Sequence, residues 1–318
     1  MRLYCLYVIL FFLFIINISV ISQNVSLPFF VDNRKGIIVE YPVKNEKIRL
    51  FLDTGSGLSF IDSAIAKRLD FNNYKKTTTQ TIATIDNRCF EVESPVGEVT
   101  VDSFFHNPWV LTDMKITRKI LGLADNVDGL LSYDFKNNKT VLELDFIQHK
   151  LNIWDALPEF IKKDKRVIKV NLVKSDFGRE NYYSKIVRTY PCIKGSLTLL
   201  DSLNLEPYFL LDTGNRSYAT VLVYDSVLLK EMFAFKKIKS EQYGNNYPTT
   251  RLKIKELNID SLYVNLNVTP KHGERSDEFN AFGNYQIGGM LGPPFFVQFE
   301  KVLIDAKSNL VYFLRKRM

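Results

Sequence analysis

Residues 50–56 read LFLDTGS and residues 209–215 read FLLDTGN. Each is a short apolar run ending in Asp-Thr-Gly, at Asp53-Thr54-Gly55 and again 159 residues later at Asp212-Thr213-Gly214 (212 − 53 = 159). At average residue usage a single Asp-Thr-Gly arises by chance in roughly one chain in fifteen of this length. Turn chemistry gives no reason for the same tripeptide to recur behind the same kind of strand. The repeated setting, more than the tripeptide, decides the reading.

Other features recur at nearly the same shift. Residues 36–43 (GIIVEYPV) lead to Asp53 and residues 195–202 (GSLTLLDS) lead to Asp212, each glycine lying 17 residues before its aspartate (53 − 36 = 17; 212 − 195 = 17). Each stretch holds an apolar segment, a polar turn and a second apolar segment (47–52 and 207–211), which reads as a β-hairpin delivering an Asp at a strand end. Turn formers follow at Asp86-Asn87 and at Gly244-Asn245-Asn246 (87 + 159 = 246). Such residues tolerate positive φ and mark expected hairpin tips. Residues 128–135 (DGLLSYDF) then match 288–295 (GGMLGPPF), and the segment at Asp145 matches that at Asp305, at a shift of 160 (305 − 145 = 160).

The expected fold is all-β and bilobal, two homologous β lobes with few short helices, the best of them at residues 63–69 (SAIAKRL). The expected organisation is a signal peptide over 1–22, an N-terminal lobe over 23–157, a bridging segment over 158–190 with a strand at 167–172, and a C-terminal lobe over 191–318.

A chain of 318 residues can support two cores, and 46% hydrophobic residues exclude a disordered body. The net charge of +7 is spread through the chain with no basic face, which reads as a solvated surface and not as a nucleic-acid interface. After Arg2, residues 3–20 form an uncharged apolar run, and Val20 and Ser22 suit a signal-peptidase site after Ser22. The expectation is an exported protein, periplasmic or secreted; the same run, if retained, would anchor it in a membrane. Beyond Cys5 only Cys89 and Cys192 remain, enough for one disulfide, whose pairing the sequence leaves open.

The chemistry sits in the two loops. A glycine lets the chain bend sharply after a strand, the Asp carboxylate is presented at the strand end, and a Thr hydroxyl can bond the opposite loop. Two such loops, one per lobe, can place two carboxylates side by side. Like charges that close cannot both ionise, so the pair shares one proton and titrates as a unit. A water between them can lose a proton to one carboxylate while the other polarises a peptide carbonyl. This chemistry calls for no metal and no cofactor.

With these motifs the chain resembles aspartic peptidases of the pepsin and retropepsin clan, and in particular exported, tandem-lobed aspartyl proteases of Bacteroidetes-type bacteria. The resemblance covers about residues 28–157 and 165–318. It implies catalytic roles for Asp53 and Asp212, and a hydroxyl grip between the loops made by Thr54 and Thr213. It implies loop support from Gly55, Ser56, Gly214 and Asn215, and an apolar-apolar-Gly motif at Met290-Leu291-Gly292, matched only in part by Leu130-Leu131-Ser132. It implies a substrate-covering flap at 82–90, with Asp86 and Asn87 at its tip, and a counterpart at 242–248 including Asn245. Two positions depart from the pattern. Ser132 replaces a glycine, and Asn215 stands where Ser, Thr or Ala is usual and where Ser56 stands in the first loop.

Other chemistries find little support. His106, His149 and His272 are isolated, and no Gly-x-Ser-x-Gly elbow occurs. The expected partner is an extended peptide or protein substrate bound by a monomer, since a tandem chain makes both loops itself. A non-catalytic peptide-binding protein that keeps the fold is the competing reading.

Overall fold

The computed structural model describes residues 23–317 apart from 34, 44, 57, 70–76, 84–88, 96–108, 134, 136–139, 178–187, 224–225, 246, 249 and 264–286. The expected signal peptide, the flap tip with Asp86 and Asn87, His106 and His272 lie outside the described residues. Among the described residues no helix is long and apolar enough to cross a membrane.

The N-terminal lobe is built on β1 (Gln23–Val31), β2 (Ile37–Val43), β3 (Glu46–Leu52), β4 (Ser59–Asp62), β5 (Thr77–Ala83), β6 (Cys89–Pro95), β7 (Trp109–Thr112) and β8 (Gly129–Leu131). β2 and β3 form the expected hairpin, with Ile38 opposite Phe51. β3 then runs parallel to β8, with Leu50 opposite Gly129 and Leu52 opposite Leu131. β8 pairs antiparallel with β4 on its other side. The two strands that flank the expected hairpin tip, β5 and β6, pair antiparallel with Ile82 opposite Phe90.

The C-terminal lobe repeats the central motif. β16 (Tyr208–Leu211) runs parallel to β20 (Ile287–Leu291), with Phe209 opposite Gly289 and Leu211 opposite Leu291. These are the pairs of the first lobe shifted by 159 on one strand and 160 on the other (50 + 159 = 209; 129 + 160 = 289). β17 (Ala219–Val223) closes the motif antiparallel to β20.

The hairpin expected ahead of Asp212 is different. β14 (Ser196–Leu199) does not pair with β16. The partner of β16 is β13 (Arg188–Lys194), with Cys192 opposite Leu210. Past Gly195 the chain leaves that sheet, and β14 joins β15 (Leu203–Leu205), β18 (Thr250–Ile254) and β19 (Ile259–Tyr263) in a separate four-stranded sheet. The three-residue turn between β14 and β15 has Leu200 and Asp201 both at positive φ and is closed by Ser202 N donating to Leu199 O at 3.1 Å. Cys192 is buried and free, and burial pushes its thiol up, so it is an inert core residue.

A shared sheet joins the lobes. β9 (Val141–Asp145) and β10 (Lys150–Trp154) form one hairpin, and β21 (Phe299–Asp305) and β22 (Leu310–Arg315) form its repeat. β9 and β21 pair antiparallel across the lobe boundary, with Glu143 opposite Leu303. Those two residues are equivalents under the repeat (143 + 160 = 303), so the approximate twofold axis passes between them. β11 (Val167–Asn171), in the bridging segment, adds to β22 at the sheet edge, and β12 (Val173–Phe177) pairs with β13 of the second lobe. The bridge is thus structured where described. One apolar core runs through both lobes, including Leu52, Leu131, Leu144, Leu211, Leu291, Phe295 and Phe313.

The lobe boundary also buries charge. Lys301 of β21 reaches Glu143 Oε1 at 2.6 Å and also bonds Asp145, both on β9. Trp154 Nε1 donates to the other oxygen of Glu143. The glutamate and aspartate side chains are 0% and 1% exposed. A buried carboxylate without such partners is costly to the fold.

Of the five α-helices among the described residues, four are short. α1 (Ser63–Arg68) begins where Asp62 Oδ1 accepts the amides of Ala64 and Ile65 at 2.9 and 3.2 Å. α2 (Met114–Leu121) is capped by Asp113 and ends at Gly122, φ 63°. α3 (Glu159–Lys163) lies in the bridge, and α5 (Pro293–Phe296) follows β20. α4 (Ser226–Tyr243) runs for 18 residues. Gly244 and Asn245 therefore end a helix and do not tip a hairpin. A run such as 226–243 has no β-branched cluster and no Gly or Pro to interrupt a helix, and its Leu, Lys, Glu, Met and Ala favour one.

Candidate active site

Both Asp-Thr-Gly loops leave a strand in the same way. The amide of Asp53 donates to Leu131 O of β8, and that of Asp212 donates to Leu291 O of β20, each at 2.9 Å. The carbonyl of Asp53 accepts from Ser56 N at 3.2 Å and that of Asp212 from Asn215 N at 3.1 Å, closing two matching turns. The parallel strand beside each loop thus fixes where each aspartate begins.

The two threonines interlock. Thr54 Oγ1 donates to Leu211 O at 2.6 Å and accepts from Thr213 N at 3.0 Å. Thr213 Oγ1 donates to Leu52 O at 2.9 Å and accepts from Thr54 N at 3.0 Å. Both side chains are buried. Each hydroxyl satisfies a carbonyl and an amide of the other lobe, which would otherwise lie unpaired in the interior.

The carboxylates meet above this grip. Gly55 N donates to Asp53 Oδ1 at 2.9 Å and Gly214 N donates to Asp212 Oδ1 at 2.8 Å. Each glycine faces the aspartate of the opposite loop. A Cβ on Gly55 would come 2.6 Å from Asp212 Cγ, and one on Gly214 would come within 2.6 Å of all three Asp53 carboxyl atoms. Only glycine fits. The two carboxyl groups are in hydrogen-bonding reach of one another. Burial raises the pKa of Asp53 well above the ordinary aspartate value, and the neighbouring Asp212 charge and their mutual hydrogen bond raise it further. Burial also raises Asp212, while the Gly214 amide and the bond from Asp53 hold it back. The pair therefore shares one proton in a range where isolated aspartates have lost theirs.

The residues after each glycine are not equivalent. Ser56 Oγ donates to Leu58 O at 2.8 Å, within its own turn. Asn215 Nδ2 donates to Met290 O at 3.2 Å, while its Oδ1 accepts from Ser217 N and Thr220 Oγ1 at 3.3 and 3.0 Å. Asn215 thus ties its loop to β20 and β17.

The same asymmetry explains Ser132. In the second lobe the carbonyls of Asn215 and Ser217 crowd Gly292, and a Cβ there would overlap Asn215 O. In the first lobe Ser132 is buried without strain. Its Oγ donates to Ser56 O at 2.5 Å and its amide donates to Ser59 Oγ at 3.0 Å. A hydroxyl here fills the space that a closer carbonyl takes in the other lobe.

Asn245 lies exposed beyond the end of α4, in the turn closed by Tyr247 N to Gly244 O at 3.2 Å. Next to it, Tyr247 OH donates to Asp201 Oδ2 at 2.9 Å and Lys239 sits over the rings of Phe235, Tyr243 and Tyr247. This cluster fixes the turn to the β14–β15 hairpin.

One residue beside the site gave no signal in its residue type. Arg216 follows Asn215, crosses the lobe boundary and donates to Gly122 O at 2.5 Å and to Leu121 O at 3.4 Å. Its guanidinium carbon lies 5.4 Å from the centre of the Phe51 ring. The position equivalent to Arg216 in the first lobe is Gly57 (57 + 159 = 216), and that mismatch was its only trace in the sequence.

Residues 39–135, which carry the first loop, match the family model described as aspartyl protease. No curated protein matches the chain. Among solved structures, conglutin gamma, a unique basic 7S globulin from lupine seeds, is similar at 10% identity with a TM-score of 0.51, over 93% of this chain and 96% of that one. Basic 7S globulin from soybean is similar at 10% identity with a TM-score of 0.47, over 92% and 95% of the two chains. A structure described as edgp gives 11% identity and a TM-score of 0.47, over 92% and 94%. The family match relates residues 39–135 to aspartyl proteases, and the lupine structure shares the overall fold of this all-β, bilobal chain.

Proposed function

Starting from that relationship, we propose that the protein is an aspartic endopeptidase that hydrolyses peptide bonds with a water activated between Asp53 and Asp212. The observation that carries this reading is the mutual packing of each carboxylate against the opposite glycine. Such packing forces two acids together in a buried place, and one proton between them follows. The ionised member takes a proton from water as it attacks the scissile carbonyl. The protonated member donates to the carbonyl oxygen as it becomes an oxyanion. The proton then passes to the leaving nitrogen, and the dyad returns to one proton. An extended peptide over the dyad would pair through its backbone with strand edges such as β5–β6. The apolar run at 3–20 supports export to a periplasmic or secreted location, which N-terminal sequencing of the mature protein would test.

A second reading, a silent peptide-binding protein with this fold, is favoured by one observation. Ser56 gives its hydroxyl proton to Leu58 O and Asn215 turns its amide to Met290 O, so both hydrogen bonds lead away from the dyad. A peptide library scanned between about pH 3 and 8 separates the readings, because dyad chemistry needs one proton held and one lost. The expected outcome is cleavage by the wild type and none by Asp53→Asn or Asp212→Asn. Peptide binding that is equal in all three proteins, with no cleavage by any, would establish the second reading.

A further inference from the structure

We propose that Arg216 is a positioning residue that ties the second dyad loop to the first lobe by a route separate from the threonine grip. The helix α2 ends with carbonyls that have no partner further along the helix, and a cation at that end meets them and the negative end of the helix dipole. Arg216 supplies it from the other lobe, bonding the carbonyls of Leu121 and Gly122. Its guanidinium also stacks on Phe51, two residues before Asp53 in β3.

From Gly122 the connection continues to the first aspartate. Leu123 N donates to Arg118 O at 2.8 Å, and Arg118 Nε donates to Val127 O at 2.6 Å. These bonds fold residues 121–127 back onto the start of β8, the strand whose Leu131 O receives the Asp53 amide. Phe51 and the α2 side chain Met114 share a small core with Val127 and Leu130. A shift of α2 therefore moves the strand that sets Asp53, and Arg216 couples that shift to the loop that sets Asp212. The coupling is one-sided, because the equivalent residue Gly57 has no side chain to reach the other way.

The effect of Arg216 on turnover rests on the peptidase reading above, but its effect on the loops does not. The test compares wild type with Arg216→Ala and Arg216→Lys by amide hydrogen exchange and, separately, by peptide hydrolysis. In Arg216→Ala the amides of Thr54, Thr213 and Leu123 are expected to exchange at least about tenfold faster, as when a local opening becomes easier. The turnover number is expected to fall about tenfold or more while KM changes less than about twofold, because misplaced dyad loops weaken the transition state more than binding. Arg216→Lys, which keeps the charge and one donor but loses the fork and the stack, should fall between the two, and it gives the reading if the alanine variant does not fold. Unchanged exchange at Thr54 and Thr213 would overturn the proposal. So would a rise in KM at unchanged turnover, which would make Arg216 a substrate contact. A wild type that cleaves nothing would sink the peptidase reading and leave the exchange comparison decisive for Arg216.

Discussion

Gly55 leaves no room beside Asp212: a Cβ on it would lie 2.6 Å from Asp212 Cγ, Gly214 confines Asp53 in the same way, and so each loop shapes the other loop's acid. Gly55→Ala and Gly214→Ala must each push a carboxylate out of place. Each is expected to abolish hydrolysis and to destabilise the fold by about 1–3 kcal/mol, as overpacking does. Denaturant unfolding and a peptide assay check this together. Full activity in either alanine variant would show that the carboxylates are not held by the glycines.

The threonine grip gives a different pattern. Thr54→Val keeps shape but leaves Leu211 O and Thr213 N unpaired in the interior, for a loss of about 1–3 kcal/mol per group. Thr54→Ser keeps the hydroxyl and should stay close to wild type. Because the two hydroxyls lie 3.4 Å apart and grip the same two loops, the double valine variant should lose less than the sum of the single losses. Additive losses in urea unfolding would contradict the interlock.

Acid strength and stability are linked through the dyad. Both carboxyls titrate above the ordinary aspartate value of 3.8, so the folded protein holds their proton more tightly than the unfolded chain does. This contribution to stability is fully present below the unfolded value and is lost as pH rises through the folded one. Asp53→Asn removes one of the two groups that share the proton. The stability difference between variant and wild type should therefore shift in favour of the variant as pH rises from acid to neutral. Unfolding curves at several pH values measure it, and a difference that stays constant with pH would refute it.

The buried charges between the lobes predict a large loss. Lys301→Met strands Glu143 and Asp145 without their cation, in a place where their side chains are 0% and 1% exposed. Removing one partner of a buried pair costs about 3–5 kcal/mol. A matched triple change, Lys301→Met with Glu143→Gln and Asp145→Asn, should recover part of it. Thermal unfolding of the two variants decides, and equal melting temperatures would mean that the ions do not depend on each other.

Most of what positions the site was legible because it is written twice. Two Asp-Thr-Gly loops and an apolar strand beside each recur at a fixed shift, and the pairs Leu52 with Leu131 and Leu211 with Leu291 follow from that repeat. What departs from the repeat was not legible. The partner of β16 is β13 and not β14, because Gly195 lets one long strand divide between two sheets. The helix α4 replaces an expected hairpin, since Gly244 and Asn245 end helices as readily as they tip turns. Arg216 and Lys301 look like ordinary surface cations in the sequence, and only their partners in the opposite lobe, Gly122 and Glu143, give them meaning. The role of Ser132 was likewise hidden, because its fit depends on where the carbonyl of Ser56 lies.

The grip has a consequence in time. Thr54 bonds to Leu211 and Thr213, 157 and 159 residues further along the chain. Contacts that distant form late, after their intervening chain has been ordered. A ribosome that has released only the first lobe has therefore made one acid, without its partner acid and without Thr213 and Gly214 of the loop that confines it. The centre comes into being with the completed chain, so synthesis itself keeps an unfinished molecule inert.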